Sequence, residues 1–70
     1  MPSLRQLRRL KGWTQRELAR QAGVTEQTVV RLESGRGVPR VSTMRAIAEA
    51  LGVPIRQVDE FREERPAPPR

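Results

Sequence analysis

Gln27 and Arg31 stand one helical turn apart in the stretch T-E-Q-T-V-V-R-L-E-S-G, from Thr25 to Gly35. Both end in planar groups that form two hydrogen bonds at once, a primary amide and a guanidinium fork. Val30 between them offers a small apolar surface, and Glu26 ahead of them accepts hydrogen bonds from amino groups. Such a set suits the reading of flat partners edge-on, with no bond made or broken. The groups that make and break bonds are scarce. The chain has no histidine, cysteine or tyrosine and a single aspartate, Asp59. No carboxylates cluster at metal-ligand spacing, and no glycine-rich phosphate cradle follows a strand. Neither an enzyme, nor a cofactor, nor a metal site is expected.

The elements that must present these residues are legible as helices. Thr14 with Glu17 reads as a capping box opening a helix over about Gln15 to Ala22. Leu18, Ala19 and Ala22 share one face of it. Gly23 stops that helix, Val24 seals the turn, and Thr25 caps the next, which runs from Glu26 to about Ser34 before Gly35. On that third helix Val29, Leu32 and Glu33 face inward, and Gln27, Val30, Arg31 and Ser34 face outward. Two helices joined by a short glycine-bearing turn form a helix-turn-helix.

The order T-Q-x-E-L-A, then A-G-V-T, then an apolar pair and L-E-x-G resembles the phage-repressor and Cro-type helix-turn-helix family of bacterial DNA-binding regulators. The likeness extends to L-x-x-L-R from Leu4 to Arg8 and to I-A-E-A-L-G-V from Ile47 to Val53, covering roughly residues 3–61. It implies that Glu26, Gln27 and Arg31 read bases in the major groove. It implies that Gln15 bonds phosphate and that Arg40 lies close to the DNA backbone or the narrow minor groove. It also supplies Arg8 as the partner of Glu33, a buried carboxylate that would otherwise be costly.

Chemistry fits these assignments. Glutamine bonds adenine bidentately, arginine bonds guanine, valine touches the thymine methyl, and glutamate accepts from the cytosine amino group. Arg36 in the following loop and Ser34 at the helix end join Gln15 and Arg40 as expected backbone contacts. Arg16 and Arg20 either approach that backbone or form a solvated face.

Charge is one-sided. The chain carries +6, with nine basic and three acidic residues over 1–40 and five of each over 41–70. The positive excess therefore lies with the helix-turn-helix, which suits a polyanion. Cysteine-free composition fits a reducing cytoplasm, and no apolar run reaches the ~18 residues of a membrane-spanning helix.

The remaining elements complete an all-α, five-helix, repressor-like domain over 1–61. A first helix spans about Ser3 to Lys11, and Trp13 packs into the core behind Gly12 in preference to stacking on bases. A fourth spans Val41 to Leu51 with Met44, Ile47, Ala48 and Leu51 inward, and a fifth starts at Pro54. Ile55, Val58 and Phe61 form a stripe on the fifth that either completes the core or makes a homodimer contact. Residues 62–70, proline-rich and without apolar periodicity, are expected to be a disordered tail. The expected function is sequence-specific binding of double-stranded DNA by a cytoplasmic homodimeric transcription regulator, a repressor. The resemblance carries one alternative, an antitoxin that holds a partner protein and its own operator.

Overall fold

The computed structural model describes residues 3–36, 39–58 and 61. Four α-helices follow one another: α1 Leu4–Leu10, α2 Gln15–Ala22, α3 Glu26–Glu33 and α4 Val41–Leu51, then a 3-10 turn at Ile55–Gln57. There is no strand among the described residues. The expected tail, residues 62–70, lies outside the described residues.

Each of the first three helices starts on a hydroxyl. The Gln6 N–H donates to Ser3 Oγ at 3.2 Å, and the Ser3 N–H donates to Gln6 Oε1 at 2.8 Å, closing a full capping box on α1. On α2 only half of the expected box exists. The Glu17 N–H donates to Thr14 Oγ1 at 3.0 Å, but the Glu17 carboxylate turns away to accept from Arg20 Nε at 3.2 Å and Gln21 Nε2 at 2.8 Å. The charge-assisted bond to an arginine one turn along outcompetes the neutral backbone donor at Thr14. Thr25 caps α3 by accepting from the Thr28 N–H at 3.2 Å.

The turn between α2 and α3 rests on Gly23, whose φ is 73°. The Val24 N–H reaches back to the Ala19 carbonyl at 3.0 Å and the Gly23 N–H to Arg20 at 3.3 Å, a Schellman closure. A Cβ at Gly23 would meet nothing within 4 Å. What bars other residues is therefore the left-handed backbone, about 1–2 kcal/mol per residue. Gly12, Gly35 and Gly52 end α1, α3 and α4 in the same conformation.

α2 packs against both α3 and α4, and α1 lies against α3. Leu4, Leu18, Ala19, Val29, Leu32, Ile47, Leu51, Val58 and Phe61 form the core. Trp13 is half-buried at its margin, with Lys11 Nζ 5.6 Å from the ring centroid.

The fifth helix is a short 3-10 turn and not an α-helix. After Pro54 the Val58 N–H bonds Ile55 at 3.1 Å and the Phe61 N–H bonds Val58 at 2.9 Å, both closures of three residues. The 3-10 turn ends at Val58, whose backbone is extended at φ −95° and ψ 119°, so no α-helical turn forms there. Val58 is fully buried and Phe61 is 3 % exposed, while Ile55 is half-buried at the core margin. The stripe thus completes the chain's own core. As a dimer face, Ile55, Val58 and Phe61 lose two of three members.

Candidate nucleic-acid interface

α3 divides along its length. Val29 and Leu32 sink into the core at 0 and 6 % exposure. Glu26, Gln27, Val30, Arg31 and Ser34 stand exposed on its outer side. Gln27 and Arg31 therefore share an outward edge, with Val30, 38 % exposed, beside them. Glu26 lies in the first turn, where its negative charge favours the positive helix end.

Glu33 anchors the rear. Its side chain is 1 % exposed, and four donors converge on the carboxylate. Arg8 gives two of them, Nε to Oε2 at 2.6 Å and Nη2 to Oε1 at 3.1 Å, a forked pair. Gln15 Nε2 donates to Oε1 at 3.1 Å, and Arg5 Nε reaches the same oxygen at 3.4 Å. Arg8 Nη1 also donates to the Trp13 carbonyl at 2.8 Å, so the guanidinium is engaged on three nitrogens. One carboxylate thereby joins the end of α3 to α1 and to the first residue of α2. Among the described residues no buried side-chain polar atom lacks a partner.

The remaining site residues are scattered around this frame. Arg36 and Arg40 are exposed between α3 and α4, on either side of Gly37 and Val38, which lie outside the described residues. Ser34 is exposed, but its hydroxyl donates to the Val30 carbonyl at 2.8 Å. In that rotamer it has no proton to offer a phosphate, which weakens the expected backbone role. Arg16 is exposed. Arg20 is paired with Glu17 on the surface of α2.

Two members of the Glu33 cluster go unseen in sequence reasoning. Arg5 falls in no motif, and the resemblance gives Gln15 a phosphate alone. The spacing of Arg5 and Arg8, three apart on one helix, puts both on neighbouring surface. Their common destination on a distant helix is a tertiary fact.

Residues 4–58 match the family model described as helix-turn-helix. The chain belongs to the helix-turn-helix family. It is similar to an uncharacterized HTH-type transcriptional regulator of Methanothermobacter thermautotrophicus, 47 % identical over 49 residues, 70 % of this chain and 71 % of the relative. It is also similar to an uncharacterized HTH-type transcriptional regulator, y4dJ, of Sinorhizobium fredii, 47 % identical over 47 residues, 67 % of this chain but only 61 % of the relative. No solved structure gives a significant match. In the terms of this family, α2, the Gly23 turn and α3 are the helix-turn-helix, and the Glu33 cluster braces the outer helix from behind. Among the described residues, no helix is long and apolar enough to cross a membrane.

The brace of this helix-turn-helix should weaken in acid. Burial raises the Glu33 pKa, but hydrogen bonds from Arg8 and Gln15, the charge of Arg8 and the bond from Arg5 outweigh it, leaving the group below its ordinary value. A carboxylate depressed in the folded state stabilises the fold above its unfolded pKa, and that stabilisation is lost as pH falls through the folded value. Stability should therefore decline once pH drops below the ordinary glutamate range, about 4.3. In Glu33→Gln this part of the decline should be absent. Denaturant midpoints measured for parent and variant across the acid range check this. Parallel acid profiles would contradict it.

Proposed function

We propose that this helix-turn-helix protein binds double-stranded DNA sequence-specifically and represses transcription by occupying its site. The observation that carries this reading is the two-sided build of α3. Its outer edge presents Gln27 and Arg31 in the open, while Val29, Leu32 and the Glu33 carboxylate fix its rear. An α-helix fits the major groove, and each bidentate base contact discriminates by about 1–3 kcal/mol. Arg31 reads guanine, Gln27 adenine, Val30 a thymine methyl, and Glu26 a cytosine amino group.

Gln15, Arg36 and Arg40 contact phosphates and set the register of α3 without reading sequence. Gln15 keeps its carbonyl oxygen and second amide proton while one proton is held by Glu33. The net charge of +6 supports the same partner, since each neutralised phosphate releases counterions. One helix as short as α3 spans too few base pairs for useful discrimination. The protein therefore acts as a homodimer on half-sites about 34 Å apart, in the cytoplasm. Its dimer contact lies outside Val58 and Phe61, which the monomer core consumes.

Selection of binding sites from random duplexes with purified protein tests the proposal. The expected result is an enriched inverted repeat with half-sites one helical turn apart. Recovery of no preferred sequence would defeat the reading.

A further inference from the structure

We infer that Arg5 is a phosphate-contacting residue of the interface, held ready by the Glu33 carboxylate; this rests on the reading of the protein as a DNA binder. Glu33 carries one negative charge and takes bonds from two guanidiniums. Arg8 is 8 % exposed and satisfied between Glu33 and the Trp13 carbonyl. Arg5 differs. Its side chain is 54 % exposed, and it commits only Nε, 3.4 Å from Glu33 Oε1. The cluster's uncancelled positive charge thus stands at the surface on Arg5, with both terminal nitrogens uncommitted among the described residues.

The location is specific. The oxygen that receives Arg5 Nε also receives Gln15 Nε2 at 3.1 Å. Arg5 therefore lies beside the first residue of α2 and behind the end of the helix that presents Gln27 and Arg31. A guanidinium offers its donors in a rigid fork that matches a phosphate, and one held through Nε still has both terminal NH2 groups to give. Prior tethering also leaves less side-chain freedom to be lost on contact.

The test is affinity for duplex DNA across a salt series, for Arg5→Ala and for Arg56→Ala. The second removes an equal charge from an exposed residue of the 3-10 turn. Arg5→Ala should make the slope of log affinity against log salt shallower by about one, equally on selected and unrelated duplexes. Arg56→Ala should change it by less than half as much. Thermal melting confirms that each variant is folded, and Arg5→Met, which keeps the aliphatic stem, replaces the alanine variant if that melts early. An unchanged slope for Arg5→Ala overturns the inference, as does an equal change for Arg56→Ala, which would mark a general field and not a contact. A parent protein that binds no duplex overturns the DNA reading as well. A parent that binds, with Arg5→Ala unchanged, overturns the Arg5 assignment alone.

Discussion

Arg8→Ala is expected to lower the stability of this protein by about 3–5 kcal/mol, the cost of leaving a buried charge without its partner. The Glu33 side chain is 1 % exposed, so its charge depends on the donors packed around it. The substitution removes the bonds at 2.6 and 3.1 Å to Glu33 and a third to the Trp13 carbonyl. Arg5 and Gln15 remain on the carboxylate, which places the expected loss toward the lower end of the range. Small domains hold about 5–15 kcal/mol in all, so the loss takes much of the total. The melting temperature should fall by more than about 10 °C. Glu33→Ala should cost as much, since it strands Arg8 instead. Replacing both with apolar residues, Arg8→Met with Glu33→Leu, should destabilise less than either alanine variant, because neither charge is then buried alone. Chemical denaturation of the parent and the three variants measures this, and an Arg8→Ala midpoint indistinguishable from the parent would contradict it.

Arg31→Ala is expected to act on recognition and leave the fold intact. Arg31 is exposed on α3, on the side away from Val29 and Leu32. Removing it should collapse discrimination at one base pair of each half-site by about 1–3 kcal/mol, roughly 5–150-fold. Salt-dependent background binding should persist, because the proposed phosphate contacts of Gln15, Arg36 and Arg40 are left in place. Gln27→Ala should do the same at a different base pair. Competition binding with the selected site and its single-base variants separates the two positions. Equal loss on every duplex would instead assign Arg31 to the backbone.

The residues that end and start helices made much of this fold legible. Gly23 followed by Val24 and Thr25 marks a stop, a seal and a cap within three residues, and local backbone physics fixes all three. The outward edge of α3 was legible for a similar reason, since helical periodicity separates Gln27 and Arg31 from Val29 and Leu32. Legibility failed where two local options compete. Glu17 had a backbone donor and Arg20 within reach, and the charged donor won. Ile55, Val58 and Phe61 repeat every three residues, a spacing that an α-helix and a short 3-10 turn both accommodate. It failed also where the partner is distant in sequence. Arg5 and Gln15 stand 28 and 18 residues from Glu33, and only the packing of α1 and α2 against α3 brings them to one oxygen.

If α3 enters the major groove with Arg31 on a guanine, methylating that base must block binding. Methylation interference on the selected site tests it most directly, because dimethyl sulfate marks guanine N7 in the major groove and adenine N3 in the minor groove. N7-methylated guanines in each half-site should be excluded from the bound fraction, and Arg31→Ala should erase this exclusion at one guanine per half-site. Interference confined to adenine N3, or a pattern identical in parent and variant, would contradict it.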